Sequence, residues 1–573
     1  MLNKRTGQVL IDLLINWGVD HVYGLPGDSI NELIEDLRKR QDDIRFIQVR
    51  HEETGALAAA SYAKLTGNLG VCMSIAGPGG IHLLNGLYDA KEDKAPVLAI
   101  VGQVNSEEVG TGAFQEINLE RMFDDVAVFN ERAQTESQLP DLLNQAIREA
   151  YAHKGVSVLI VPDDLFSKKQ SKDIKLTSST YYRPEISPTD KYLNQAKELI
   201  EQAERPLILA GQGAISAREE LLTFAEKIKS PIILSLLAKG VLPDHHPYCL
   251  GQHGQIGTKP AYHAMKECDL LLLIGTQFPY RDFLPDSVTA IQIDNKPEHL
   301  GKYYPIQLGL TGDAKETLKV LTEKLNENKD DRYLKKYQEK MEKWSVALQE
   351  EKRSTENPLH APQVMYQLED VIKPNAVVSA DVGNVTVWVS RFLPFIDQRF
   401  LISGWLATMG SGLPGAIAAQ MAYPDRQVIG ISGDGGFSMV MQDFATAVHY
   451  QLPIKMVVLN NSKIAMIKYE QEQMGHLNFQ TDLSEMDFAK FAESCGGEGY
   501  RIESYEDLAT KMKQAFLSDR PAIIDVVIEE QPPLPGHIDY QSAANYSKYI
   551  IKNFFEYGDL DIPDLKKSIK RLQ

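Results

Sequence analysis

The sequence predicts an α/β protein made of three doubly wound domains with parallel sheets. Short runs of leucine or β-branched residues recur along the chain, and each is followed by glycines and a helical pattern, as after Leu270–Ile274. Two segments, 167–190 and 326–358, interrupt this rhythm with polar and charged residues and are interpreted as linkers. The predicted units are three domains at 1–180, 190–325 and 359–535 and a tail at 536–573.

Length and composition limit the functions that the chain can have. Its 573 residues suffice for three or four domains, and 60 basic against 78 acidic residues give a net charge of −18. Such an acidic chain argues against nucleic-acid binding, which needs positive charge. The four cysteines are scattered without a CxxC pair, so neither a disulfide framework nor a structural zinc site is predicted, and a reducing cytoplasm fits best. No apolar run approaches the ~20 residues of a membrane span, so membrane contact is expected to be peripheral.

An internal repeat relates the first and third domains. Ser74–Gly80 and Ile431–Gly436 both read as a strand end that turns through glycines into a helix, and each helix ends before a proline that opens an apolar strand. Any two βαβ units share this pattern, but the two copies differ in chemistry, because Asp434 stands where Pro78 stands. A duplicated scaffold with one anionic and one neutral turn suggests a cofactor held between two unlike halves.

The anionic turn is a candidate metal site. Asp434 follows one apolar strand and Asn461 follows the next, and the carboxyl ends of parallel strands are where ligands bind in such sheets. A carboxylate and an amide oxygen suit Mg²⁺, and the neighbouring glycines let backbone amides approach phosphate groups. An Asp-Gly turn alone is ordinary turn chemistry, but its coupling to a strand-final Asn-Asn pair predicts a metal and diphosphate site.

This pattern resembles the signature of thiamine diphosphate enzymes, and the chain from Gly24 to about Glu530 is similar to their pyruvate oxidase branch, in particular to its quinone-reducing flavoproteins. The resemblance implies that Asp434, the Asn461 side chain and the Lys463 carbonyl hold Mg²⁺. The positions that the resemblance gives to thiamine diphosphate are Gly77, Pro78, Gly383, Asn384, Ala407, Met409, Gly435 and Gly436. For two of these places there is an alternative interpretation, namely an ordinary surface turn at 381–384 and a core methionine at 409.

Glu52 is the candidate activating carboxylate. An acidic residue that follows a strand and begins a helix commonly complements the helix dipole. The resemblance instead implies that Glu52 hydrogen-bonds the aminopyrimidine ring of the cofactor, which requires a carboxylate in a dry interface. Because Glu52 and Asp434 lie in different halves, the site is expected between them. In the family it lies between subunits, so the resemblance implies a homotetramer built from dimers and an inactive monomer.

The middle domain is predicted to be Rossmann-like. Pro206–Gly213 is a strand that turns through two glycines but lacks the third glycine of a dinucleotide fingerprint, and Asp294 ends another strand with a side chain suited to a ribose hydroxyl. The arrangement resembles the FAD domain of pyruvate oxidases, and Gly275–Arg281 resembles the quinone-reducing members. A domain retained without flavin is the alternative. The predicted FAD positions are Gly211, Gly213, Gly275, Thr276, Asp294 and Asp313.

Two further segments match the family's substrate pocket. They give Phe114 and Gln115 in the first domain and Met466 and Glu470 in the third as catalytic candidates. An aromatic residue often stands at the position of Met466 in the family, so this chain departs from the pattern there. A solvated helix face is the alternative interpretation of the segment that contains Glu470.

The tail has two interpretations. Apolar residues at helical spacing precede a basic end, a combination that binds anionic membrane surfaces. A helix that caps the active site or a partner subunit is the alternative, and the resemblance favours the membrane. The residues concerned are Tyr546, Ile550, Phe554, Tyr557, Lys566, Lys567, Lys570 and Arg571.

The resemblance implies oxidative decarboxylation of pyruvate to acetate and CO₂, with electrons passed through FAD to a membrane quinone. The expected location is the cytoplasm, with peripheral contact at the inner face of the cell membrane. Three alternatives are an oxidase that uses O₂ and phosphate and makes acetyl phosphate and H₂O₂, an acetolactate synthase-like carboligase, and a non-catalytic scaffold. The presence of Glu52, Asp434 and Asn461 argues against the scaffold.

Overall fold

The computed structural model describes residues 4–170, 181–182, 184–532, 545–546, 548–550 and 552–553. Three six-stranded parallel sheets follow one another along the chain, each covered by helices, which confirms the predicted fold class. Within these described ranges, no helix is both long and apolar enough to cross a membrane.

The N-terminal domain holds the first sheet. Its strands are β1 (His21–Gly24), β2 (Arg45–Gln48), β3 (Gly70–Ser74), β4 (Val97–Gln103), β5 (Ala127–Arg132) and β6 (Val156–Pro162). Its helices are α1 (Thr6–Asn16), α2 (Asn31–Arg38), α3 (Glu52–Thr66), α4 (Pro78–Glu92), α5 (Leu119–Met122), α6 (Leu139–His153) and α7 (Asp163–Ser167). The strand order across the sheet is β2-β1-β3-β4-β6-β5.

The middle domain holds the second sheet. Its strands are β7 (Pro206–Ala210), β8 (Ile232–Leu234), β9 (Cys249–Gln252), β10 (Leu270–Ile274), β11 (Thr289–Asp294) and β12 (Leu308–Thr311). Its helices are α8 (Asp190–Glu201), α9 (Arg218–Ile228), α10 (Lys259–Glu267) and α11 (Ala314–Lys324), followed by α12 (Arg332–Lys352). The order β12-β11-β10-β7-β8-β9 is that of Rossmann folds, and it places a ligand crevice between β7 and β10, where the chain changes direction across the sheet.

The C-terminal domain holds the third sheet. Its strands are β13 (Val377–Ala380), β14 (Arg399–Leu401), β15 (Val428–Gly433), β16 (Lys455–Asn460), β17 (Glu498–Ile502) and β18 (Ala522–Val527). Its helices are α13 (Ala361–Glu369), α14 (Asn384–Phe392), α15 (Gly412–Ala422), α16 (Asp434–Val440), α17 (Phe444–His449), α18 (Ala465–Gln473), α19 (Phe488–Ser494) and α20 (Tyr505–Leu517). The strand order is β14-β13-β15-β16-β18-β17.

The first and third sheets have the same topology. In both, the order across the sheet is second, first, third, fourth, sixth and fifth strand. The helix after the third strand begins in one copy at Pro78, after the N-cap Gly77, and in the other at Asp434, after the N-cap Gly433. The predicted relation between the two domains is confirmed, including the equivalence of Pro78 and Asp434.

Helices α3 and α15 join the two related domains. One continuous hydrophobic cluster contains buried residues from both helices, among them Ala56 in α3 and Leu413 in α15. Helix α3 also packs closely on α4 within the N-terminal domain, where a Cβ atom at Gly86 would lie 2.4 Å from the backbone nitrogen of Leu57. The N- and C-terminal domains therefore share a core.

The segment 326–358, interpreted as a linker, contributes to the core through α12. Tyr337 is fully buried and Trp344 nearly so, and the Tyr333 hydroxyl donates to the Ala264 carbonyl of α10 at 2.7 Å. Charged residues dominate the sequence of α12, but its aromatic residues form a buried face against the middle and C-terminal domains.

Candidate active site

Glu52 lies buried at the start of α3, where the first domain holds its carboxylate between two helices. His51 is the N-cap, and Glu52 is 5% exposed. Glu52 Oε2 lies 2.9 Å from His82 Nδ1 in the second turn of α4, and the His82 ring stacks on His51 with centroids 4.4 Å apart. A Cβ atom at Gly79 would lie 3.2 Å from Glu52 Oε1, so only glycine leaves that oxygen unobstructed. The sequence analysis missed His82, although its position one turn after Gly79 in α4 was a signal.

The predicted substrate residues of this domain lie beside its glycine turn. Gly77 has φ +62°, and a Cβ atom there would lie 2.8 Å from the Gln115 carbonyl oxygen. Gln115 itself has φ +64°, and the neighbouring Phe114 side chain is 86% exposed. The Glu116 carboxylate accepts from the backbone of Gly112 at 2.8 Å and thereby holds the loop. The structure thus brings Phe114 and Gln115 to the Gly77–Pro78 turn.

The three predicted metal ligands of the C-terminal domain lie together at the carboxyl ends of β15 and β16. The buried Asp434 carboxylate accepts from the backbone amides of Ser462 and Lys463, and Asn461 Oδ1 accepts from the Lys463 amide at 3.1 Å. The Lys463 side chain forms an ion pair with Asp482. Burial raises the pKa of Asp434 to about 6 despite its hydrogen bonds, so a bound cation would stabilise the ionised carboxylate.

The glycine turns around Asp434 leave space for a ligand. Within the described residues, a Cβ atom at Gly433 or at Gly383 would meet nothing within 4 Å, and Gly383 has φ +125° before Asn384 opens α14. At Gly436 the opposite holds, because a Cβ atom would lie 2.7 Å from the buried Asp381 carboxylate. Open backbone at two turns beside a desolvated carboxylate fits a diphosphate with a divalent cation.

The segment 402–411, here called the bridging loop, connects these turns to the N-terminal domain. Ala407 has φ +55°, and the Met409 methyl group lies 3.4 Å from the Cβ position of Gly435. Thr408 accepts through its hydroxyl from Asn85 Nδ2 of α4 at 2.9 Å. The amide of Gly410 donates to Asp381 Oδ1 at 2.9 Å. Ala407 and Met409 are therefore held beside the predicted diphosphate turn.

A cavity of about 240 Å³ lies at the crevice of the middle domain. Of the predicted FAD positions, Gly275, Thr276 and Asp294 line it. Gly211 and Gly213 pack on the backbone of Gly275 instead, since the Gly213 amide donates to its carbonyl at 3.0 Å and a Cβ atom at Gly211 would lie 2.4 Å from the same oxygen. These two glycines close-pack the crevice rather than line its cavity.

Asp313, the remaining predicted FAD position, is not among the residues that line this cavity. Its carboxylate accepts from the Ile186 amide at 2.8 Å, and it is the N-cap of α11. Three lining residues from other domains, Lys94, Gly404 and Trp405, are not predicted from the sequence, because nothing local marks a residue that reaches a cavity in another domain.

Met466 and Glu470 lie one turn apart on the same side of α18, and both are half-buried. Lys468 of this helix forms an ion pair with Glu530, which anchors α18 to the end of the third domain. The structure thus places the two candidates on one helix that follows the Asn461 loop.

The described part of the tail contacts the segment after α18. Lys552 Nζ donates to the Gly475 carbonyl at 2.7 Å, and the Tyr549 hydroxyl accepts from Asn478 Nδ2 at 3.2 Å. Tyr546 stacks with Tyr549 at 5.9 Å between ring centroids. Ile550 of the tail prediction is half-buried. The other residues of that prediction lie outside the described residues, namely Phe554, Tyr557, Lys566, Lys567, Lys570 and Arg571.

Comparison with known proteins gives three matched families in chain order. They are the N-terminal TPP binding domain (residues 4–122), the central domain (193–321) and the C-terminal TPP binding domain (381–526) of thiamine pyrophosphate enzymes. Thiamine pyrophosphate is another name for thiamine diphosphate.

Three relatives are similar over most of the chain. The "Putative thiamine pyrophosphate-containing protein YdaP" of Bacillus subtilis is 53% identical over 573 residues, and the match covers all of both chains. The pyruvate oxidase of Lactiplantibacillus plantarum is 37% identical over 99% of this chain and 96% of its own length. The acetolactate synthase of Mycobacterium bovis is 31% identical over 92% of this chain and 88% of its own. Because these matches extend through all three domains, the chain belongs to the thiamine pyrophosphate enzyme family.

Proposed function

We propose that the chain is a thiamine diphosphate- and FAD-dependent oxidase that converts pyruvate and water to acetate and CO₂ and passes two electrons to a membrane quinone, which becomes the quinol. The observation that carries the proposal is the bridging loop. Its residues Gly404 and Trp405 line the cavity of the Rossmann-like domain, and Met409, a few residues later, contacts the diphosphate turn. One short segment therefore connects the proposed redox site with the proposed site of decarboxylation.

The residues present fit both groups. Asp434, Asn461 and Lys463 would hold Mg²⁺, while Gly383, Asn384, Gly435 and Gly436 would face the diphosphate. Gly275, Thr276 and Asp294 would face FAD. When bound, thiamine diphosphate supplies an electron sink for cleavage of the carbon–carbon bond beside a ketone, and FAD accepts two electrons.

The side chains of the first domain have distinct tasks in this proposal. Glu52 Oε2 is engaged by His82, so Oε1 is the atom that holds and releases a proton at the aminopyrimidine ring. Gly77 and Pro78 would line the space for that ring. Phe114 and Gln115 would enclose pyruvate from this side, and Met466 and Glu470 from the other, which excludes water from the keto acid.

Exposed apolar side chains support a second copy of the chain as the partner. Ile81 and Phe114 near the Glu52 half are 47% and 86% exposed, and Met439 and Ile467 near the Asp434 half are 57% and 45% exposed. Large apolar side chains exposed at both half-sites are typical of a surface that another subunit covers. We infer a site between Glu52 of one subunit and Asp434 of another, within a homotetramer that is built from two dimers in the cytoplasm.

The contact of the tail with residues 475–478 supports the capping interpretation, since these residues follow α18, which carries Met466 and Glu470. Binding of the basic end to an anionic membrane surface stays a proposal. The two are compatible if the tail leaves α18 when it binds lipid.

The test is a steady-state assay with pyruvate, in which a soluble quinone analogue is compared with O₂, each with and without phosphate and anionic vesicles. We expect acetate, CO₂ and reduced quinone without a need for phosphate, and bound flavin absorbance in the purified protein. Acetyl phosphate with H₂O₂ would identify the phosphate-dependent oxidase instead. Acetolactate without acceptor reduction would support carboligation, which the 31% identity to an acetolactate synthase makes the second candidate. Absence of turnover with all acceptors would favour a scaffold.

A further inference from the structure

The cavity of the middle domain receives one cation from the N-terminal domain. Lys94, in the turn between α4 and β4, lines it together with Thr276 and Asp294 of the middle domain and Trp405 of the bridging loop. Three domains therefore meet at its wall, and the ammonium group of Lys94 is the contribution of the first.

The preceding residue fixes the position of this turn. Asp93 is fully buried and accepts from the backbone amides of Gly404 at 3.0 Å and Trp405 at 2.9 Å. The buried Lys64 ammonium lies 2.6 Å from Asp93 and 2.6 Å from Asp89. An ion cluster that is buried and multiply hydrogen-bonded resists displacement, so the Lys94 backbone is held at the cavity before any ligand arrives.

Within the described part of the chain, the Lys94 ammonium forms no ion pair with a carboxylate. Its neighbour is His299 Nε2 at 3.5 Å, and the other nitrogen of that ring faces Asp294 Oδ1 at 3.0 Å. Among the described residues, no carboxylate lies within 4 Å of Lys94 Nζ. Burial lowers the pKa of Lys94, with Lys296 and Lys302 adding repulsion and Asp294 and Glu298 opposing it. A partly buried cation near two further lysines favours the binding of an anion beside it.

We propose that Lys94 binds phosphate in this cavity, so that the cavity selects a nucleotide carrying a diphosphate over the same compound without phosphate. A phosphate oxygen would replace the weak His299 contact of the ammonium. Asp294 Oδ1 is occupied by His299 and by the Lys296 amide at 2.9 Å, so the remaining oxygen of this carboxylate is left for a ribose hydroxyl. This inference rests on the proposed flavin function for the identity of the nucleotide, but not for the role of the cation.

The experiment measures binding of four probes to the full-length apoprotein: FAD, riboflavin, ADP and adenosine. The variant is Lys94→Gln, with Lys94→Arg to restore the charge. Lys91→Gln is the matched control, because Lys91 lies in the last turn of α4, just before the turn that carries Lys94, but pairs with Asp125 at the surface, 3.0 Å away. Flavin binding is followed by fluorescence quenching, and binding of ADP and adenosine by calorimetry.

We expect Lys94→Gln to weaken FAD and ADP binding by roughly 10- to 100-fold, as for a hydrogen bond to a charged group, and to leave riboflavin and adenosine unchanged. Lys94→Arg should recover most of the loss, and Lys91→Gln should match wild type. Equal losses for the compounds with and without phosphate, or no loss at all, would overturn the inference, as would a wild-type protein that binds none of the probes. Wild-type protein that prefers ADP to adenosine through Lys94 but does not bind FAD would contradict the proposed function while supporting the phosphate site.

Discussion

The N- and C-terminal domains share a strand order and a glycine turn, but they differ at the residue after that turn. Pro78 opens α4 without an amide hydrogen or a charge, whereas Asp434 opens α16 with a buried carboxylate. The surroundings differ accordingly. The neutral turn borders Glu52 and His82, and the anionic turn borders Asn461 and the amides of its loop. Topology thus sets where the two turns lie, while the helix-opening residue sets the charge at each turn, and on the proposed function only the charged turn binds a cation.

The strongest test of this difference removes the anionic residue. Asp434→Ala should abolish Mg²⁺-dependent retention of thiamine diphosphate and with it pyruvate turnover, because the neutral turn has no carboxylate to replace the lost one. Binding is measured by calorimetry with and without Mg²⁺. Asp124→Ala, at an exposed position, serves as the control. A variant that keeps metal-dependent cofactor binding would refute the metal assignment.

The corresponding test of the other half concerns proton transfer. Glu52→Gln should lower kcat by about 10²–10⁴-fold, the usual contribution of a positioned acid–base group, while cofactor binding stays near wild type. The neighbouring Glu53→Gln is the matched control, since Glu53 bonds Asn85 rather than His82. Near-normal turnover in Glu52→Gln would remove this residue from its proposed role.

The anionic turn should also make the stability of the apoprotein depend on pH. Burial raises the pKa of Asp434 to about 6, so between about 4 and 6 the folded apoprotein binds more protons than the unfolded chain, and stability falls as pH rises through this range. Asp434→Asn should therefore raise the unfolding free energy of the apoprotein by about 1–3 kcal/mol at pH 7.5 and by little at pH 4. Chemical denaturation at both pH values measures it. With Mg²⁺ and thiamine diphosphate added, wild type should instead be more stable than Asp434→Asn. An Asp434→Asn apoprotein that is less stable than the wild-type apoprotein at pH 7.5 would contradict the prediction, because it would show that the surroundings of Asp434 compensate its buried charge.

The smallest effect is expected from the tail, whose described residues contact the C-terminal domain at Gly475 and Asn478. Truncation after residue 536 should reduce sedimentation with anionic vesicles and leave the flavin bound. Tyr549→Phe keeps the ring and removes the hydroxyl near Asn478, and it should lower the free energy of unfolding by about 1 kcal/mol or less. Unchanged vesicle binding after truncation would leave capping of α18 as the role of the tail.

Local signals account for what the sequence could predict. The turns at Gly77 and Gly433 lie between apolar strands and helices, and carboxyl ends of adjacent parallel strands converge, so Asp434 and Asn461 could be placed together from spacing. His82 and Lys94 were missed because their roles depend on contacts between elements that no local pattern encodes. Asp313 shows the converse, since a strand-final Gly-Asp turn has the pattern of a ligand turn, yet its carboxylate holds the Ile186 amide.

Subunit complementation tests the central claim, that two unlike halves from different chains form one site. Glu52→Gln and Asp434→Ala proteins, each inactive alone, are unfolded, mixed in equal amounts and refolded together, and pyruvate oxidation is compared with refolded wild type. In a mixed dimer one site combines both defects and the other combines both intact residues, so random pairing predicts about one quarter of wild-type activity. Refolded wild type that is active, with a mixture that stays as inactive as the single variants, would contradict the claim and place Glu52 and Asp434 in a site within one chain.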